Sequence, residues 1–397
     1  MIPAMPAAAQ SVVASGSMGA GMFGPHPSTT LGVGVDIAGE DYAAGIGGRL
    51  QLLAGEGVRT EAWDEASEIA TILRYAVAQH TFASDATIAA ALGELGDVTL
   101  GNGTLVGGYA SGLNLDHGHL GAEVRAATAK VRVEALIDDV IAPRIFGAET
   151  SFATSDSVRL SVQGALDIAA PSMTGPGVVG AFGAGAEIST PLFSERATAT
   201  SYGEVAGMFG LGAGIVAGSV VTVAVAGEGE DAATVGARAE ISAATAGYIG
   251  RYFGPLYERD RQIITAADGT RMGSQLDFAR ARRGGGLGGY GALFADVPTL
   301  GTARLAYNAR PGLADQALVE VAAPYFERTQ VALWAAADIH DAGISGLMMA
   351  LEARSRIASR MFVSLTTARL LSDADGDGGG VAGTWLASVA VGAIMGE

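Results

Sequence analysis

Three short stretches place chemistry-bearing residues at usable spacings. In "DADGDGGG", Asp373, Asp375 and Asp377 take the first, third and fifth positions of a calcium-loop pattern, with Gly378 at the sixth. Alternating carboxylates suit a hard cation that collects many oxygen ligands. The twelfth position is Thr384 instead of a bidentate Glu, which favours a solvated acidic hairpin loop and leaves any Ca2+ weakly held. In "DHGH", His117 and His119 share one side of an extended segment beside Asp116, a spacing that could begin a zinc or copper site. Neither His80 nor His340 is near in sequence, which favours a polar loop turn. "GLGGYG", Gly286 to Gly291, matches a dinucleotide-binding spacing, but a chain with 59 glycines meets that pattern by chance and no strand-turn-helix unit surrounds it.

No Ser/His/Asp or paired-carboxylate arrangement stands out, so the sequence points to no catalytic residues and away from an enzyme. The absence of Cys removes disulfides, thiolate metal sites and Cys nucleophiles. Lys plus Arg total 24 against 41 Asp plus Glu, a formal charge of -17, which argues against nucleic acid as a partner. No cofactor is expected beyond that weak Ca2+.

The elements that must position these residues are strands. The run "MFGLGAGIVAGSVVTVAVAG", Met208 to Gly227, is long enough to cross a bilayer as a helix, yet it contains four internal glycines between Gly210 and Gly218 and a β-branched second half. Two strands explain both halves, one ending near Phe209 and one from Ile215 to Ala226, with a turn at Leu211 to Gly214. Neighbouring segments alternate. Val235, Ala237, Ala239, Ile241 and Ala243 oppose Gly236, Arg238, Glu240 and Ser242, and Val131, Val133, Ala135 and Ile137 oppose Arg132, Glu134, Leu136 and Asp138. Similar runs recur from Leu31–Ile37 to Val331–Ile339, with turn signals at 38–41, 154–157, 228–231, 340–343 and 373–380. The spacing predicts roughly 14–18 strands of about 9–11 residues or a little more.

Hydrophobic residues make up 49% of the chain and charged ones 16%, with much of the apolar content in Ala and Val. Small side chains build a thin extended wall more readily than a thick globular core. A long meander disposes of its edges by closing, so the expected fold is all-β, an up-and-down antiparallel transmembrane β-barrel. Trp63–His80 reads either as a strand or as an amphipathic helix, Tyr252–Gly273 as a long loop that is extracellular or folded into the lumen, and Val381–Gly396 as a strand or a tail helix. Residues 1–27 read as a signal-peptide remnant or flexible segment and 28–397 as one barrel domain.

Over Thr29 to Gly396 the chain resembles outer-membrane β-barrels of Gram-negative bacteria. "GDVTLGNGTLVGGYASGLNLDHGHLG" followed by "VRVEALIDDVIAPRIFGAE" is similar to uncharacterised barrel proteins of porin-like type. The resemblance implies an outer-membrane location, a lipid bilayer as partner, and a passive channel for small polar solutes or cations. The rival reading is a plugged structural or adhesive barrel that binds a partner through surface loops. A homo-oligomer is left open. On the strand registers above, Arg132, Glu134, Arg238, Glu240, Arg304, Glu320, Asp338, Glu352 and Arg354 face inward, where they would tune selectivity or hold the barrel closed.

Overall fold

The computed structural model describes residues 11–395 apart from 62, 84–85, 193, 227–231, 299, 324–328 and 374–380. The first strands are β1 (Ser11–Phe23), β2 (His26–Ala38), β3 (Tyr42–Leu53), β4 (Gly57–Val58), β5 (Leu73–Thr81), β6 (Thr87–Gly93), β7 (Val98–Thr99) and β8 (Gly107–Tyr109). They are followed by β9 (Gly121–Ala127), β10 (Val131–Ile137), β11 (Ile145–Ala153), β12 (Val158–Ala170), β13 (Gly177–Leu192), β14 (Ser194–Met208), β15 (Gly212–Ala226) and β16 (Ala233–Ala244). The last are β17 (Gly286–Val297), β18 (Gly301–Ala309), β19 (Asp315–Ala323), β20 (Thr329–His340), β21 (Gly343–Ala358), β22 (Met361–Asp373) and β23 (Val381–Met395). Among the described residues three short helices interrupt them: α1 (Ala66–Ala70), α2 (Tyr257–Asp260) and α3 (Gln275–Ala281).

Leaving out the short β4, β7 and β8, the strands pair antiparallel with their neighbours in chain order. β1 then closes the sheet, pairing with β2 from Ser11↔Ala38 to Phe23↔His26 and with β23 from Ala14↔Met395 to Phe23↔Leu386. The result is an all-β, closed, up-and-down barrel of 20 strands. Closure leaves the wall no free edge, and it excludes the open sandwich and the solenoid as folds for this chain.

The outer face is apolar. Ile241 is 73% exposed and Val33 72%, with Ile46, Val162, Val205 and Ile215 also projecting outward. A continuous belt of this kind is tolerated where lipid, not water, meets it. Among the described residues no helix is long and apolar enough to cross a membrane.

Because the strands alternate in direction, successive connections fall at opposite ends. The long connections 54–72, 94–120, 138–144 and 245–285 all fall at one end, whereas 39–41, 82–86, 128–130, 154–157 and 359–360 fall at the other, together with Ser11 and Met395. Long loops at one end and short turns at the other is the asymmetry of outer-membrane barrels.

Several sequence expectations shift. The count exceeds 14–18 because β6 and β9 are only seven residues each, below the length used to recognise strands, and because β1 is part of the wall. The barrel therefore begins at least as early as Ser11, not at residue 28. "SVVASGSMGAGMF" hides its alternation because its inward positions are mostly Ser and Gly, and its outward side mixes Ala14, Gly16 and Ala20 with Val12, Met18 and Met22. The uncharged run at Met208 is two strands, with its turn at Phe209–Leu211, just before the expected Leu211–Gly214. Trp63–His80 is both of its readings in series, α1 and then β5. Val381–Met395 is a strand. Gly286–Gly291 opens β17 as ordinary wall, with Gly289 opposite Ala309 of β18.

Candidate functional site

The connections 54–72, 94–120 and 245–285 turn into the barrel and fill much of its interior. The third of these leaves the wall after β16 through Gly247 at φ +78, where a Cβ would lie 2.5 Å from the Leu211 carbonyl oxygen, so only glycine fits. Beyond it, "RYFGPLY" carries Tyr252, Phe253, Leu256 and Tyr257, all buried. Their rings pack with centroids 4.8 Å apart for Phe253–Tyr257, 5.1 Å for Tyr252–Phe253 and 5.4 Å for Tyr252–Tyr257. Tyr109, on the β7–β8 ribbon of the second loop, joins at 6.3 Å from Tyr257, and Val106 bridges to Phe253. The wall facing this cluster presents small inward residues, Ala165, Ala181 and Ala206, which leave room for the aromatic rings. The barrel thus has a hydrophobic core inside a wall that is also apolar outside.

Charged anchors hold the third loop to the wall. On α2, Arg259 donates to Asp338 Oδ1 of β20 at 2.8 Å and to the Gly346 carbonyl at 2.8 Å, and it also pairs with its neighbour Asp260. Arg310 donates to Asp260 Oδ2 at 2.9 Å and to Asp338 Oδ1 at 3.3 Å, completing a buried square of two guanidiniums and two carboxylates. Burial alone would lower the Arg259 pKa, but Asp260 and Asp338 outweigh it and hold the guanidinium above its ordinary value, firmly charged. Two residues on, Arg261 pairs with Asp167 of β12 at 3.1 Å, and its pKa is likewise raised, with the burial penalty outweighed by Glu258 and Asp167. Tyr257 donates to Asp167 Oδ2 at 2.7 Å, its phenol pushed well above the usual range by burial and by Tyr252 and Asp167. It therefore remains a donor at any physiological pH. Tyr257→Phe removes that donor and is expected to lower stability by about 1.5–3 kcal/mol, as for a hydrogen bond to a charged group. Denaturant midpoints of the two proteins in one detergent check this.

The nine charged residues singled out from the registers occupy different neighbourhoods. Arg238 and Glu240 of β16 pair with each other, and Arg251 of the third loop donates to Glu240 Oε1 at 2.7 Å while lying 3.7 Å from the Tyr290 ring centroid. Arg304 of β18 pairs with Glu320 of β19 at 2.8 Å and donates to Asp97 of the second loop at 2.7 Å. Asp338 belongs to the buried square. Glu134 lies opposite Glu149 across the β10–β11 register, with Arg132 opposite Ser151. Glu352 and Arg354 of β21 line open space. Thus Arg238 with Glu240 and Arg304 with Glu320 pair along the wall, while Glu240, Arg304 and Asp338 also meet residues of the inner loops.

That open space is a cavity of about 660 Å3 bounded by β1–β3, β5 and β21–β23 on the wall side and by the first two loops on the other. A second cavity of about 380 Å3 continues toward the short-turn end, sharing Ser15, Arg74, Arg354 and Phe362 with the first. Where the two meet, Arg74 pairs with Asp36, and the Arg354 guanidinium stacks 3.6 Å from the Phe362 ring centroid. The passage is therefore eccentric, with plugging loops on one side and Gly- and Ser-rich strands on the other.

The candidate metal ligands fare differently. Asp373 is the last residue of β22, opposite Val381, while Asp375 and Asp377 lie outside the described residues. His117 and His119 part company. His119 Nδ1 lies 3.3 Å from Asp139 Oδ2, with Arg144 on its other nitrogen, whereas His117 sits beside Glu65 and Glu68. Sequence reading missed Arg74, Arg259, Arg261, Arg310 and Asp167. Arg259 and Arg261 carried one legible signal, an apolar run next to charges in a segment too irregular for a strand. Tyr202, in the middle of β14, and Tyr248, at the start of the third inner loop, are also buried inside.

No family profile and no curated protein matches this chain. Among solved structures it is similar to OccK8 (OprE) of Pseudomonas aeruginosa, at 8% identity and a TM-score of 0.37, covering 98% of each chain. It is similar to OccAB1 of Acinetobacter baumannii at 9% identity and a TM-score of 0.37, covering 98% of this chain and 96% of that one. OpdK of Pseudomonas aeruginosa, in a structure with vanillate, matches at 10% identity and a TM-score of 0.33, covering 98% and 99%.

Proposed function

We propose that this protein is a passive outer-membrane channel for small polar solutes, with the long-loop end outside the cell. The observation that carries the reading is the pair of adjoining cavities inside a closed barrel whose outer face is apolar. A solute would pass along the Gly/Ser-rich inner face of β1–β3, past Arg74 and Arg354 where the cavities meet. The reading requires no chemistry, only a wet path and a local field.

The whole-chain charge is -17, but selectivity is set by the charges nearest the narrowing. There the two guanidiniums of Arg74 and Arg354 face Asp36 and Glu352. A plugged, adhesive barrel would leave no such path.

The test is single-channel recording in a planar bilayer under a salt gradient. Stable steps are expected, and Arg354→Ala is expected to shift the cation-to-anion permeability ratio toward cations by roughly fivefold, the Boltzmann weight of about 1 kcal/mol for one charge at contact in water. Insertion without conductance would sink the channel reading. Steps whose reversal potential ignores both Arg74→Ala and Arg354→Ala would place the path elsewhere.

A further inference from the structure

The first and second inner loops meet at a group of three ligand-type side chains. Glu65 is the N-cap of α1, Glu68 lies one turn on, and His117 arrives from the connection between β8 and β9. His117 Nδ1 is 3.6 Å from Glu68 Oε1 and 3.8 Å from Glu65 Oε1, and one ligand atom from each residue lies within 4.8 Å of the others.

Glu68 is the unusual member. Its side chain is 1% exposed. One carboxylate oxygen, Oε2, accepts the backbone N–H groups of Asp64 at 2.9 Å and Glu65 at 3.0 Å and so completes the helix cap. The other oxygen, Oε1, is buried with no hydrogen-bond partner and points toward His117. A buried carboxylate oxygen left unsatisfied is costly, and an ion is one of the few things that would satisfy it. The neighbouring Arg59 is engaged by Asp116 and does not fill the place.

We infer that Glu65, Glu68 and His117 form a divalent transition-metal site, of the kind zinc occupies, which staples the first inner loop to the second. Two carboxylates and one imidazole are a borderline donor set that zinc accepts readily, whereas Mg2+ and Ca2+ prefer oxygen donors alone. A tetrahedral ion with bonds of about 2.1 Å needs ligand atoms about 3.4 Å apart. The observed separations close to that value by small rotations of the Glu65 carboxylate, which is 55% exposed. The site is independent of solute passage, although Trp63, Thr71 and Gly118 beside it line the larger cavity.

The test is calorimetric titration of Zn2+ into refolded full-length protein stripped with chelator, with thermal melting in parallel. One saturable Zn2+ per chain and a raised melting temperature are expected, with Mg2+ at the same concentration producing neither. His117→Ala and Glu68→Gln should each weaken binding at least tenfold, while the remote His80→Ala should leave it unchanged. Glu68→Gln keeps an acceptor for the helix cap, so its melting temperature without metal reports folding separately from binding. No saturable heat, or stoichiometric binding retained in both His117→Ala and Glu68→Gln, would overturn the assignment.

Discussion

Replacing Asp338 by Ala is expected to release the third inner loop from the wall and to lower the stability of the folded barrel by about 3–5 kcal/mol, the usual loss when one partner of a buried ion pair is removed. Arg259 and Arg310 both depend on this carboxylate, at 2.8 Å and 3.3 Å, and Asp260 alone would then face two guanidiniums in a buried setting. Removing Asp338 leaves one positive charge uncompensated. The released guanidinium gains more by reaching water than by staying, so the loop that carries Arg259 should follow it out. Two measurements check the outcome. The denaturant midpoint, followed by loss of the heat-modifiable folded band on electrophoresis, should fall. Single-channel conductance should rise or become noisy as the lumen empties. A quiet channel of unchanged conductance with an unchanged midpoint would show that the square does not hold the loop. Asp338→Asn preserves shape and two polar atoms, so a smaller loss for Asn than for Ala separates the charge from the packing.

The second large effect concerns the outer face. Leu305 is central in β18, 53% exposed, and lies opposite Leu293 of β17 and Val319 of β19. If this belt meets hydrocarbon, Leu305→Arg buries a guanidinium in lipid and should destabilise the inserted barrel by about 2–4 kcal/mol at the midplane. The control is Ser364→Arg on β22, whose side lines the larger cavity. There the same charge points into water and should leave insertion intact while changing ion selectivity. The measurement is the yield of folded protein in vesicles over a urea series. Equal yields for the two variants would mean that the face does not contact lipid. A loss confined to Ser364→Arg would mean that inside and outside had been exchanged.

The wall was legible in the chain because a strand writes its environment locally. Side chains alternate at a period of two, so Val235, Ala237, Ala239 and Ile241 declared one face and Arg238 and Glu240 the other without reference to any distant residue. Closure followed from the number of edges to be hidden, and the acidic balance and missing cysteines removed whole classes of function. What failed locally did so for a local reason. β1 escaped notice because Gly, Ser and Ala blur the alternation, and β6 and β9 because they are short.

The interior was a different matter. Arg259 meets Asp338 across 79 residues and Tyr257 meets Asp167 across 90, and no period or spacing connects such partners. The pairing of His117 with Glu68 instead of His119 has the same origin, since chain neighbours on a folded loop are turned apart by the backbone. Local alternation could decide which face of each strand meets lipid, because that choice is repeated independently along every strand. Only the closed barrel could decide which loops enter it, where they dock and what passage they leave, because each of those depends on contacts made after the chain has come full circle.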